Sequence, residues 1–276
     1  MIAQESLLRL EKEFTPFKRI GVAFSGGVDS AVLLKSAAHF LGTSNVIAFL
    51  GVSDSLAQRE REIAIKVARE IGVELVEIST DEMSNPNYLA NNGQRCYFCK
   101  ESLFSAIASF DYSQFRLDAI AYGENFDDSR KLDRPGQRAA LEFGVIKPLS
   151  SAGLSKNDVR LLAHHFSLSV AEKPASPCLA SRIKPFTQVT KLALSQVEAL
   201  EDFLLQLGFH DVRARYLENS LLIEVTEEEQ NLLSQISTRE SIQLFGTQHD
   251  LPTIEFSTSP LRSGSFSAEY LESAHV

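Results

Sequence analysis

Apolar positions follow two different rhythms along this chain. Up to about residue 170, short continuous apolar runs alternate with segments whose apolar residues recur every three or four positions. "RIGVAF", "VIAFLGV", "VELVEIS" and "DAIAYGE" read as buried strands, and "VIKPL" as a short fifth. In "SLAQREREIAIKVAREIG", Ile63, Val67 and Ile71 share one helical face, Arg59, Glu60, Glu62 and Lys66 cover the rest, and Gly72 suits a C-cap. Ser155 and Asp158 form a capping box that opens a further helix in "LSKNDVRLLAHHF". Strands alternating with helices predict an α/β fold, a doubly wound parallel sheet with helices on both faces.

Beyond residue 170 the rhythm changes. "AEKPASPCLASRIKPF" holds three prolines and little periodicity, so it reads as a loop or linker. Ala193, Val197, Leu200, Leu204 and Leu207 then mark an amphipathic helix, and "VRARYL" and "LLIEV" two strands joined by the turn Glu218-Asn219-Ser220. The expected organisation is a nucleotide-binding domain over 1–170, a linker over 171–187 carrying Cys178, and a small α+β domain over 188–276 for substrate binding and oligomerisation.

Hydrophobic residues at 44% and charged residues at 23% are ordinary for a globular chain. The formal net charge of −9 argues against non-specific nucleic-acid binding, which draws on basic surface. The start, "MIAQESLLRLEKEF", is amphipathic and carries acids, unlike a secretory signal or a transit peptide. No apolar run approaches the roughly 20 residues of a membrane span, so a cytoplasmic protein is expected.

The chemistry begins at "SGGVDS". Gly26 and Gly27 stand where a strand runs directly into a helix, and glycine lets backbone approach a ligand closely at positive φ. The helix N-terminus behind them offers unpaired N–H groups that suit phosphate. A plain tight turn needs one glycine, not the whole hexapeptide, and the Walker A pattern is absent.

The three cysteines, Cys96, Cys99 and Cys178, ask for a second explanation. Their odd number and the missing secretory signal argue against a disulfide framework. Cys96 and Cys99 have C-x-x-C spacing in "QRCYFCK", expected as a polar loop before the helix "KESLFSAIASF". The bland reading is three unrelated thiols. Against it, all three fall in segments expected at the carboxyl edge of the sheet. No fourth cysteine or spaced histidine completes a structural zinc site, whereas three thiolates suit an iron-sulfur cluster with one open iron.

"SGGVDS" resembles the pyrophosphate loop of the PP-loop ATP pyrophosphatases. Together with "RCYFCK", "YGENFDD", "RPGQRAALEFGVIKPL", "LSKNDVRLLA", "PCLASRI" and "LRSGS", it resembles the LarE sulfur transferases across nearly the whole chain. That resemblance implies ATP, Mg²⁺ and adenylation of a pyridinium dicarboxylate mononucleotide, with sulfur from a sulfide source replacing the activated oxygen in nickel-pincer nucleotide biosynthesis. It implies that Ser25, Gly26, Gly27 and Ser30 cradle pyrophosphate and that Asp29 helps place Mg²⁺. Cys96, Cys99 and Cys178 match the branch holding a 4Fe-4S cluster, and Cys178 also matches the cysteine sacrificed by the other branch. Arg213 and Arg215 match positions that hold a substrate anion, and Arg182 could do likewise. Their bland reading is a solvated face paired with Glu224. Glu201 and Glu224 match acids near the same site, though solvated carboxylates explain them about as well. Asp127 and Asp128 fit either Mg²⁺ or loop order, and Lys156 either phosphate or ordinary surface. A homo-oligomer is also expected.

Two departures stand out. "YGEN" at 122–125 replaces the family's D-G-T-N, and "SRIKPF" replaces S-R-I/F-P-Y-G. A PP-loop tRNA thiolase or an amide-forming ATP pyrophosphatase remains as an alternative. The first usually adds a basic or zinc-binding module, and the second leaves all three cysteines idle.

Overall fold

The computed structural model describes residues 2–110, 116–130 and 135–261. Most of the "LRSGS" stretch therefore lies outside the described residues. The chain divides into two compact units: residues 1–82 with 96–176, and residues 83–95 with 177–276.

Along the first unit run α1 (Ile2–Phe14), β1 (Ile20–Ala23), α2 (Val28–Leu41), β2 (Val46–Val52), α3 (Gln58–Ile71) and β3 (Glu74–Ser79). Then α4 (Pro86–Leu89) belongs to the second unit, and α5 (Arg95–Ala108) leads back into the first. β4 (Ala119–Tyr122), α6 (Phe126–Ser129), α7 (Pro135–Glu142), α8 (Pro148–Ser151) and α9 (Lys156–His165) complete it.

The four strands form a parallel sheet in the order β3-β2-β1-β4, as the alternation of elements predicts. Both faces are buried, and β2 shows it within one strand. Val46, Ala48 and Leu50 pack into the core with α1, α2, α3 and α9, while Ile47 and Phe49 pack into the opposite core with α5 and α7. From β1 the chain steps outward to β2 and β3, then returns to the other side of β1 at β4. The loops after β1 and β4 thus flank the reversal of strand order, where open α/β sheets bind ligands.

Two local expectations change. The fifth strand shrinks to one bridge, in which Ile146 pairs with Ala121. Pro148 has no N–H to extend a ladder and instead opens α8. Cys96 and Cys99 lie in the first turns of α5 rather than in a loop. Asn92 prepares that start: its Oδ1 accepts the Gln94 N–H at 2.9 Å and its carbonyl accepts the Arg95 N–H at 3.1 Å.

In the second unit α10 (Lys191–Gln206) packs on β5 (Val212–Tyr216). β5 pairs antiparallel with β6 (Ser220–Val225), which pairs in parallel with a further strand, β7 (Thr253–Phe256). α11 (Gln230–Ser234) and α12 (Ile236–Gln248) connect β6 to β7. β7 has one buried residue, Ile254, so its apolar pattern carries little strand signal. The segment 83–95 is tied in by Asn91, which is fully buried at φ +49°. Its Nδ2 donates to the Ile183 and Lys184 carbonyls at 3.3 and 2.8 Å, and its Oδ1 accepts Arg95 Nη1 at 2.5 Å. Arg95 Nη1 also donates to the Ala180 carbonyl at 2.7 Å.

Asn91→Ala should therefore destabilise the protein by about 2–4 kcal/mol, since it orphans buried groups and keeps a left-handed backbone that alanine disfavours. Urea unfolding checks this, and a loss below about 1 kcal/mol would show that the segment is held by something else.

Candidate active site

In the first unit the site grows from the end of β1. Gly26 has φ +72°, and a Cβ there would lie 2.9 Å from the Ala64 backbone of α3, so both conformation and space demand glycine. Gly27 then takes the N-cap position of α2. Ser30 folds back: its Oγ donates to the Gly27 carbonyl at 3.0 Å, accepts the Ser25 N–H at 3.3 Å and meets Ser25 Oγ at 3.2 Å. The loop is thus held in shape by its own hydroxyls, with the N–H groups of the first turn of α2 behind it.

The loop after β4 presses against that turn. A Cβ on Gly123 would sit 2.8 Å from the Ser30 nitrogen. Asn125 caps α6 by accepting the Asp128 N–H at 2.9 Å, and its Nδ2 donates to Asp29 Oδ1 at 3.2 Å and to Asp128 Oδ2 at 3.1 Å. Lys156, at the start of α9, places its ammonium on Asp29 Oδ2, while its own N–H donates to Asp127 Oδ2 at 2.8 Å. Asp127 and Asp128 therefore order the loops around Asp29. The capping box of Ser155 and Asp158 is present and fixes where α9, and so Lys156, begins. Asn125 was not singled out by the sequence, although an asparagine before two aspartates is a helix-start signal.

None of the three cysteines is in a disulfide. Cys96 and Cys99, three residues apart on α5, share one helical face, with Cys96 exposed and Cys99 half-buried. Cys178 is exposed in the second unit and begins the short turn Leu179–Arg182, where its carbonyl accepts the Ser181 N–H at 2.9 Å and hydroxyl at 2.7 Å. Among the described residues, no three His, Cys, Asp or Glu side chains are gathered as a metal site.

Three arginines mark the second unit. Arg182 is only 1% exposed. Its Nε donates to Glu201 Oε1 at 2.8 Å, and its Nη1 to the Pro177 carbonyl at 2.8 Å and Ser181 Oγ at 2.9 Å, so it underpins the turn carrying Cys178. Glu201, equally buried, also accepts the Ala214 N–H at 3.2 Å. Arg215 is buried, with Nε on Glu224 Oε2 at 2.8 Å and Nη1 on the Ser181 carbonyl at 3.3 Å. Arg213 bonds Asp211 at 2.5 Å. Burial, and secondarily the charge of Arg182, lower its pKa from the usual guanidinium value. Three guanidiniums held by Glu201, Asp211 and Glu224 are balanced yet crowded, and a bound anion would relieve the repulsion between Arg182 and Arg213.

No described helix is long and apolar enough to cross a membrane. Residues 12–91, which include the double-glycine loop, match the asparagine synthase family model. The chain is 37% identical over 88% of its length to an uncharacterised Synechocystis protein, of which it covers 90%. It is 33% identical over 76% of its length to the pyridinium-3,5-bisthiocarboxylic acid mononucleotide synthase of Lactiplantibacillus plantarum, of which it covers 75%. An uncharacterised protein of Methanocaldococcus jannaschii is 26% identical over 85% of the chain and 90% of its own length. The loop of Ser25 to Ser30 at the switch point of a parallel sheet and these relatives agree: the chain belongs to the LarE family of PP-loop, ATP-dependent enzymes.

Proposed function

We propose that this protein is an ATP-dependent sulfur transferase acting on a pyridinium dicarboxylic acid mononucleotide, the acceptor suggested by the name of its Lactiplantibacillus relative. The observation that carries the reading is the glycine loop at the head of α2, with Asp29 set beside it by Asn125 and Lys156. Backbone N–H groups there suit the β- and γ-phosphates. An acceptor carboxylate oxygen attacks the α-phosphorus, the bond to the bridging oxygen breaks, and pyrophosphate leaves with that electron pair. A sulfur nucleophile then attacks the carbonyl carbon and AMP departs with the pair from the broken C–O bond. Lys156 and the first turn of α2 would offset charge on the departing phosphates.

Two groups absent from the protein chain fit its residues. The Asp29 carboxylate suits Mg²⁺, a hard cation that takes oxygen ligands and would offset charge on the phosphates. The thiols of Cys96, Cys99 and Cys178, none of them in a disulfide and two of them exposed, suit ligation of a 4Fe-4S cluster, which would supply an open iron for sulfide. In the second unit Arg213 and Arg215 would bind the phosphate monoester of the acceptor by charge-assisted bonds. An amide-forming reaction would give the thiols no work, and a tRNA substrate fits poorly with a net charge of −9.

Pyrophosphate release that depends on the mononucleotide tests the reaction class. Asp29→Asn should abolish that release while the protein keeps its unfolding midpoint, because it removes the carboxylate that would hold Mg²⁺ against the phosphate oxygens as they gain charge. Near-normal turnover would remove Asp29 from the chemistry.

Arg213→Ala and Arg215→Ala should each weaken acceptor binding by about 1.5–3 kcal/mol and spare ATP. Calorimetry with each ligand separates the two, and an equal loss for ATP would assign these arginines to the nucleotide or the scaffold.

Mass spectrometry after turnover distinguishes the two sulfur routes. A cluster route needs all three thiolates, allows repeated turnover with added sulfide and leaves the protein mass unchanged. Dehydroalanine at Cys178 in the three-cysteine protein would instead establish that its own sulfur is spent.

A further inference from the structure

Tyr122 and Glu124, two residues apart where β4 runs into its loop, bond to each other. Tyr122 ends β4, and its hydroxyl donates to Glu124 Oε2. The other carboxylate oxygen, Oε1, accepts the Lys147 ammonium at 3.2 Å. Lys147 follows Ile146, the residue bridged to Ala121, so Tyr122, Glu124 and Lys147 all belong to the carboxyl edge of the sheet beside the phosphate loop. The neighbours of Glu124 in sequence fix the distance to that loop. Gly123 lies against the Ser30 backbone, and Asn125 bonds Asp29.

Exposure within this chain is uneven. The Glu124 side chain is 4% exposed, whereas that of Lys147 is 36% exposed. A buried carboxylate with both oxygens occupied is a fixed anchor. An ammonium has three N–H groups, and the anchor uses one of them. The tyrosine is fixed as well: Phe104 meets its ring edge-on at 6.1 Å, and Lys100 Nζ lies 4.1 Å from its centroid. The Lys100 stem passes so close to Gly136 that a Cβ there would meet its Cδ at 2.9 Å. Glycine keeps that path open, which places a second ammonium on the same tyrosine. A surface ion pair needs neither a buried carboxylate nor a clamped phenol behind it.

We propose that Lys147 is a substrate-binding residue that receives an oxyanion of the acceptor, a carboxylate or phosphate, with Glu124 and Tyr122 as positioning residues that set its ammonium beside the phosphate loop. This deepens the sulfur-transfer reading and rests on it. The same oxyanion chemistry could come from ATP, and the two ligands are separated by experiment. Dissociation constants for ATP and for pyridinium-3,5-dicarboxylic acid mononucleotide are measured with wild type, Lys147→Met, Lys147→Arg, Glu124→Gln and the Lys147→Met/Glu124→Gln double variant, with Lys147→Gln in reserve if the methionine variant does not fold. Lys147→Met should raise the mononucleotide Kd roughly 10- to 100-fold and leave that of ATP within about twofold. Lys147→Arg should recover most of the loss, and Glu124→Gln should cost little more once Lys147 is gone, since the two act as one unit. Unchanged mononucleotide binding in Lys147→Met, or a loss that falls on ATP, overturns the proposal while wild-type turnover still supports the sulfur-transfer reading. A wild type that binds ATP but no mononucleotide overturns the acceptor assignment, and this proposal with it.

Discussion

Backbone laid directly against backbone is the constraint on which the first unit is built. Gly26 rests on the Ala64 backbone of α3, and Gly123 on the Ser30 backbone of α2. No side chain fits in either gap, so the loops after β1 and β4 are clamped at van der Waals distance from the helices beside them. Everything polar follows from that approach. Asn125 reaches Asp29 only because Gly123 lets its loop come so near, and Lys156 meets the same carboxylate from the capped start of α9. A shift of one ångström in these loops would misdirect the N–H groups at the head of α2.

The second unit solves a different problem, that of holding cations close together. Arg182, Arg213 and Arg215 are each matched by a carboxylate, and the match is made largely out of water. Removing one partner from such a set costs more than the pair contributes, because the survivor is left charged and buried. Arg182 shows the benefit: its guanidinium holds the Pro177 carbonyl and Ser181 hydroxyl on either side of Cys178, so a thiol exposed to solvent sits on a rigid turn.

Much of this was legible from residues alone, for physical reasons. A four-stranded sheet buried on both faces writes continuous apolar runs, and "SGGVDS" states a conformation that few other residues allow. What was not legible depends on partners far apart in sequence. Nothing near Glu124 announces that its carboxylate will meet Lys147, and nothing in "QRCYFCK" reveals that Asn92 starts α5 early enough to carry both cysteines. "VIKPL" misleads because one bridged isoleucine looks like a strand until Pro148 turns the chain into a helix. β7 hides because an edge strand with one buried residue has little apolar pattern to show.

The interrupted chain path of the second unit bears on how this protein is made. Residues 83–95 belong to that unit, yet about eighty residues of the other unit are synthesised before residues 177–189 can meet them. Asn91 and Arg95 must therefore leave the ribosome without the carbonyls of Ala180, Ile183 and Lys184 to receive their protons. Neither unit is a continuous stretch, so neither can be cut out by choosing one end point.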